Sequence, residues 1–227
     1  MTEKVFVDLL EKVLREEGYL SEREVGVGYG IADLVIIKKS SFDSENCDKR
    51  KGYKQKSRLL NEEYFRILSH LPDFDEKENS VCVDYLVEKT GLSKSHLKYT
   101  LLKDLQRKRF IKVTKDGTYF KINGWAPLAN EVIAIEAKLK DWKRGFIQAN
   151  RYKSFADRTY LAIPKETAHL VDRKLLKKHN IGLIVLDAEK RLKTIPIRTK
   201  KRAPSNAHMK NFAIEHFWRS RNLKQLA

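Results

Sequence analysis

Val132-Ile-Ala-Ile-Glu-Ala-Lys-Leu-Lys140 is an apolar run that ends in charge. Val132 to Ile135 are apolar without alternation, as in a central strand covered on both faces. The two-residue side-chain period of a strand then sends Glu136 and Lys138 out of one face, side by side. An isolated Glu-x-Lys is most often a plain ion pair, so its meaning depends on its company in the chain.

Downstream, residues 142–156 carry Phe146, Ile147, Ala149, Tyr152 and Phe155 at helical spacing, and Gln148 and Tyr152, four apart, share a face. Thr159 to Ile163 is expected as a buried strand before Pro164, residues 165–179 as a helix, and Ile181 to Leu186 as a further strand. At the start of the chain, Val5, Phe6, Leu9, Leu10, Val13 and Leu14 mark an amphipathic helix between Thr2 and Glu17 that Gly18 stops. Arg23 to Val27 and Ile31 to Lys38 follow as strands around Gly26-Val-Gly-Tyr-Gly30. Asp33 is the lone acid of the second strand, a costly placement unless a cation or hydrogen-bond donors meet it; capping the glycine turn is the structural alternative. Strands alternating with helices argue for an α/β domain with a mixed sheet flanked by helices.

The middle third differs in kind. Ser40 to Arg58 is polar and charged without apolar period and is expected as an exposed linker. Tyr64, Phe65, Ile67, Leu68 and Leu71 then give a helix broken at Pro72, and Val83 to Thr90 gives a second ended by Gly91. A third helix starts at Ser93 and runs to about Arg109, with Leu97, Leu101 and Leu105 inward. Two short strands, Phe110 to Thr114 and Thr118 to Ile122, join at Asp116-Gly117, a strong hairpin signal. From Asn61 to Gly124 this order resembles a winged helix, and Val83 to Leu97 closely resembles the helix-turn-helix of winged-helix transcription regulators. The resemblance implies that the third helix enters the major groove. It places Lys94, Ser95, His96, Lys98 and Tyr99 at the DNA, with Lys115 at the wing tip. The alternative is a protein-interaction winged helix whose lysines are merely solvated.

Charge agrees with a nucleic-acid partner: the 227 residues hold 47 Lys and Arg against 30 Asp and Glu, a net charge of +17 that attracts polyanions. Two cysteines, Cys47 and Cys82, are too few for a disulfide framework and lack zinc-ligand spacing. No apolar run has the length of a membrane span, and Glu3, Asp8 and Glu11 stand where a signal peptide would be basic and then apolar. A cytoplasmic protein without a membrane partner is expected. Arg198 to Arg202 is a basic segment, either a solvated linker or a grip on phosphates. Beyond it Met209, Phe212, Ala213, His216, Phe217 and Leu223 favour an amphipathic helix that either docks on the core or makes a homodimer contact.

With the middle third set aside, the order is helix, strand, strand, Glu-x-Lys strand, helix, strand. Together with Gly30-x-x-Asp33, Glu136-Ala137-Lys138 and Gln148-x-x-x-Tyr152, it resembles the PD-(D/E)XK, restriction endonuclease-like nuclease superfamily. Ala32 stands where that pattern usually has Pro, and the long gap from Asp33 to Glu136 calls for an inserted domain. The resemblance implies a nuclease-like core in residues 1–40 and 126–190, a linker at 41–58, a winged-helix insertion at 59–125, and a basic segment with a C-terminal helix at 191–227. It further implies a deoxyribonuclease that uses Mg²⁺, with Mn²⁺ as substitute, on double-stranded or branched DNA. Asp33 and Glu136 would be metal ligands with the Ala137 carbonyl, and a helix acid, Glu3 or Glu11, would join them. Lys138 would orient the attacking water or offset charge on the phosphate, Gln148 would position water or backbone, and Tyr152 would pack. A DNA-binding regulator or assembly protein that keeps the fold without cleavage is the alternative.

Overall fold

The computed structural model describes residues 1–28, 30–122, 125 and 127–218. Tyr29 of the glycine turn, Gly124 at the end of the winged-helix stretch, and Leu223 lie outside the described residues. In chain order the main elements are α1 (Glu3–Glu16), β1 (Tyr19–Val27), β2 (Gly30–Lys38), α2 (Ser44–Gly52), α3 (Glu62–Leu68), α4 (Val83–Thr90) and α5 (94–107). They continue with β3 (Ile111–Val113), β4 (Tyr119–Lys121), β5 (Ile133–Ala137), α6 (Trp142–Arg151), β6 (Arg158–Pro164), α7 (Arg173–Lys178), β7 (Gly182–Asp187), β8 (Leu192–Ile197) and α8 (Ala207–Glu215). The chain forms two compact units, one of Met1–Phe42 with Ala129–Phe217, the other of Asp43–Leu128 with Trp218.

The first unit is an α/β layer structure on a mixed six-stranded sheet of order β1-β2-β5-β6-β7-β8. β1, β2 and β5 pair antiparallel, β5 to β7 parallel, and β8 closes the far edge antiparallel. Thr2 caps α1 by accepting the Val5 N–H at 3.3 Å, and Gly18, at φ +87°, lets the chain turn off the helix into β1. Phe6, Leu10 and Leu14 of α1 bury against Leu34, Ile36, Ile135 and Ile184 on one sheet face. Ala149, Phe146 and Leu176 cover Leu161, Ile163 and Leu183 on the other. Alternation along β5 thus gives Ile133, Ile135 and Ala137 to the α1 side and leaves Glu136 and Lys138 facing α6.

Several expectations need correction. β1 starts at Tyr19 rather than Arg23, because Tyr19 and Leu20 continue the ladder opposite Lys38 and Ile37. Residues 165–179 are not one helix: a 3₁₀ segment, Lys165–Leu170, precedes α7, which begins where Asp172 Oδ1 accepts the N–H groups of Lys174 and Leu175 at 2.9 and 3.0 Å. β8 went unexpected, an edge strand in which Lys193, Ile195 and Ile197 are the more covered positions and Pro196 is tolerated.

The expected linker is the largest departure. Within it α2 forms behind Asp43, whose carboxylate accepts the Asn46 N–H at 2.9 Å. It buries Cys47 and Arg50 instead of an apolar stripe. The Arg50 guanidinium stacks 4.1 Å from the Trp218 ring and 5.4 Å from that of Phe110. Trp218 Nε1 donates to the Lys56 carbonyl at 3.0 Å, and the buried Gln55 amide donates to the Arg109 carbonyl at 2.9 Å. A helix held by a stacked cation carries no hydrophobic period to read. The rest of the second unit is three helices and a hairpin. Gly91, at φ +67°, ends α4, Ser93 caps α5, and α5 widens to a π turn at Leu97–Leu101. β3 and β4 pair antiparallel.

Candidate active site and nucleic-acid interface

β2 and β5 pair at Ile36–Ile133, Val35–Ala134 and Leu34–Ile135. In the same register Asp33 comes next, opposite Glu136 and on the same face. There the backbone ladder stops: the Asp33 carboxylate takes the Ala137 N–H at 2.7 Å. A side chain here takes the place of a backbone carbonyl in the ladder. Asp33 therefore does not cap the glycine turn. β5 stays tied to its other neighbour, because the Lys138 N–H donates to the Ala162 carbonyl at 3.0 Å.

Glu136 is fully buried. The Lys138 ammonium lies 2.7 Å from Glu136 Oε1 and forms an ion pair with it. Glu136 Oε2 meets the Tyr152 hydroxyl, which also lies 2.7 Å from the Ile31 carbonyl oxygen. Tyr152 is thus a positioning residue that ties Glu136 to the start of β2, more than the packing residue expected. Gly145 makes room for the cluster. A Cβ there would lie 2.6 Å from Leu161 Cδ1 and 2.9 Å from Lys138 Cγ, so α6 approaches β5 closely only because residue 145 has no side chain. A glycine inside an otherwise helical run was the signal that could have found it.

Burial first, and like charge second, set the electrostatics of the site. Burial pushes the Asp33 carboxyl above its ordinary range; the Ala137 N–H and Lys138 only partly offset this, and Glu3 and Glu24 add to it. Burial likewise raises Glu136, against the pull of Lys138 and Tyr152 and with the Asp33 charge adding to the rise. Lys138 is held protonated: burial works against its charge, but Glu136, Asp33 and Glu3 outweigh that and raise its pKa.

Of the two candidate helix acids, Glu3 reaches the site, its Oε2 3.8 Å from Lys138 Nζ. It lines a cleft of about 280 Å³ with Asp33, Glu24 and Arg23. Glu11 does not reach it. It is buried beneath β1, where Ser21 donates to it at 2.6 Å and Arg15 and Arg23 pair with it. Gln148 sits one turn before Tyr152 with a buried Oε1 that has no partner, and no hydrogen bond joins it to Asp33, Glu136 or Lys138 among the described residues. Nor do three His, Cys, Asp or Glu side chains converge as a metal-binding group among the described residues. The set is two carboxylates, Asp33 and Glu136, with Glu3 at the margin.

In the second unit the expected DNA-facing residues lie on the first turns of α5 and at the hairpin tip. Lys94 is exposed but pairs with Asp84 at 2.6 Å, and His96 Nε2 lies 3.0 Å from Glu63 Oε2, so these two already have internal partners. Ser95, Lys98 and Lys115 are exposed. Tyr99 is 60% exposed, with the ammonium groups of Lys98 and Lys103 5.5 and 5.4 Å from its ring centre. The cations of α5 without an ion pair among the described residues therefore include Lys98 and Lys103, on either side of the exposed Tyr99 ring.

No protein family, curated protein or solved structure matches the chain. Among the described residues no helix is long and apolar enough to cross a membrane.

Proposed function

We propose that the chain is a metal-dependent DNA endonuclease of PD-(D/E)XK type. The first unit would be its restriction endonuclease-like core, and the second a winged helix, inserted between β2 and β5, that grips double-stranded or branched DNA. The observation that carries this is the meeting of Asp33 with Glu136-Ala137-Lys138, whose Asp33–Ala137 hydrogen bond spans 104 positions of chain. Two acids whose pKa burial raises, with the Asp33 charge adding to the rise at Glu136, contribute nothing to a fold kept for shape alone.

The donor set suits Mg²⁺, a hard cation that binds through one or two carboxylates and keeps several waters. Asp33 and Glu136 would hold it with the Ala137 carbonyl, Glu3 would reach it through water, and Mn²⁺ would substitute. When bound, such an ion supplies charge neutralisation and a more acidic water. The protein's own part is to hold Glu136 still through Tyr152 and to keep the Lys138 ammonium where charge develops on the phosphate. Gln148, with its unused Oε1, is available to orient water. One observation favours the alternative of a non-catalytic DNA-binding regulator or assembly protein: Lys138 already pairs with Glu136, and among the described residues no three His, Cys, Asp or Glu side chains converge there.

The two separate on plasmid, linear duplex, single-stranded and branched DNA incubated with Mg²⁺, Mn²⁺ or EDTA. Metal-dependent cutting that EDTA and Glu136→Gln both abolish, with DNA binding retained in the variant, is the expected result. Binding without cutting of any form, under either metal, leaves the regulator.

A further inference from the structure

The basic segment Arg198 to Arg202 is tied down through its backbone. The Asn180 side chain accepts the Lys200 N–H at 2.8 Å and donates to the Lys200 carbonyl at 2.9 Å, and the Arg202 N–H donates to the Asp157 carbonyl at 3.0 Å. Arg202 has no ion pair among the described residues and lines a pocket of about 230 Å³. Lys153, Asp157, Arg158, Thr159, Asn180 and Ser205 line it too, with Ala156 and Ala203.

Most charges around it are already matched. Arg158 Nε donates to Glu131 at 2.7 Å, and Asp157, the one acid of the lining, takes the Val132 N–H at 2.8 Å and pairs with Lys210 at 2.9 Å. Lys153 is different: among the described residues it donates only to neutral oxygens, Asn150 Oδ1 at 2.7 Å and the His179 carbonyl. Burial, and then the Arg202 charge, pull its pKa down. Thr159, 2% exposed, carries an Oγ1 with no hydrogen-bond partner. Lys153 and Arg202, neither paired with a carboxylate among the described residues, stand beside an unused hydroxyl, a set that an anion would complete.

We propose that this pocket binds a phosphate group, from a nucleotide or from the end of a nucleic-acid strand, between Lys153 and Arg202. A lysine beside an arginine matches the charge and the several oxygens of phosphate. The volume falls below the about 300–1,000 Å³ of drug-sized ligand sites, the scale of one phosphate with its sugar. The pocket lies at the N-terminal ends of β5 and β6, where Ile133 pairs with Arg158. Glu136, beside Leu161, is three residues, roughly 10 Å, further along. Phosphate bound here stands apart from the carboxylate site and does not depend on its chemistry.

The test is calorimetric titration of the full chain with inorganic phosphate and with dAMP, against chloride at matched ionic strength. Arg202→Gln and Lys153→Met are compared with Lys200→Gln, which removes a charge from the same segment but not from the pocket. Loss of one charge-assisted contact is expected to weaken phosphate roughly tenfold or more in Arg202→Gln and Lys153→Met and to leave Lys200→Gln as wild type. Melting curves keep Lys153→Met interpretable, and the exposed Arg202 gives a variant that folds. A 5′-phosphorylated oligonucleotide that binds more tightly than its 5′-hydroxyl twin identifies the strand end, and equal binding of the two identifies the free nucleotide. No phosphate binding by wild type, or equal weakening in Lys200→Gln, overturns the proposal.

Discussion

Glu11 and Glu136 are both buried carboxylates of the first unit, 5% and 0% exposed, and their surroundings drive them in opposite directions. Burial works against the charge of Glu11, but hydrogen bonds from Ser21 and Arg23 and the Arg15 charge outweigh it and lower its pKa. Burial works against Glu136 too, and there Lys138 and Tyr152 do not suffice while Asp33 adds repulsion. Glu11 is a finished cluster with nothing left to bind. Glu136 stands where one more positive charge would lower the energy, which separates a binding site from a structural ion pair better than burial does.

Four variants sharpen or break that contrast. Lys138→Ala should carry the largest effect: DNA cleavage falls by at least about a hundredfold, some 2.7 kcal/mol of transition-state stabilisation, while the fold and DNA binding persist. A rate within about threefold of wild type would remove Lys138 from the chemistry. Glu11→Gln should act on stability instead. Its partners Arg15 and Arg23 are 60% and 38% exposed and can turn to water, so the loss is about 1–3 kcal/mol in denaturant melts, with cleavage unchanged at temperatures where the variant is folded.

Asp33→Asn keeps an oxygen for the Ala137 N–H but removes the charge. A raised folded pKa means that the Asp33 carboxyl favours the fold when protonated, and that this contribution is lost as pH rises from the ordinary value of 3.8 through the raised one. Without metal, Asp33→Asn should therefore melt above wild type at pH 7, and the gap should close below about pH 4. A variant less stable than wild type at pH 7 would make Asp33 a structural acid like Glu11. The smallest effect is expected in the second unit. Replacing Lys94, Lys98 and Lys115 together should flatten the slope of log affinity against log salt by about one unit per lost phosphate contact. Lys94 should contribute least because Asp84 already holds it. An unchanged slope would place the DNA elsewhere.

Much of the mixed sheet was legible in sequence because strand and helix periods survive in it: Ile133 to Ile135, Leu34 to Ile37 and, of the α1 stripe, Phe6, Leu10, Val13 and Leu14 bury as their spacing says they should, while Val5 is exposed. Asp33 and Glu136 could be singled out as costly charges in apolar strands, but their pairing across 104 positions follows from register. Which helix acid serves could not be read. Glu3 and Glu11 lie about two turns apart on one helix, and only the folding of Ser21 and Arg23 onto Glu11 decides between them. The role of Tyr152 hangs on where its hydroxyl ends, which helical spacing does not convey. α2 was hidden for a different reason: Arg50 is buried by stacking on Trp218, a partner 168 positions away that no local pattern announces.

Divalent-ion titration followed by calorimetric melting asks most directly whether Glu136 awaits a cation and Glu11 does not. Mg²⁺ bound only to the folded chain should add about 2.7 kcal/mol at a hundred times its Kd. Wild type and Glu11→Gln should both show this rise in Tm, and Glu136→Gln and Asp33→Asn should lose it. An equal Mg²⁺ shift in all four proteins, or none in wild type with either Mg²⁺ or Mn²⁺, would contradict a metal site at Asp33 and Glu136.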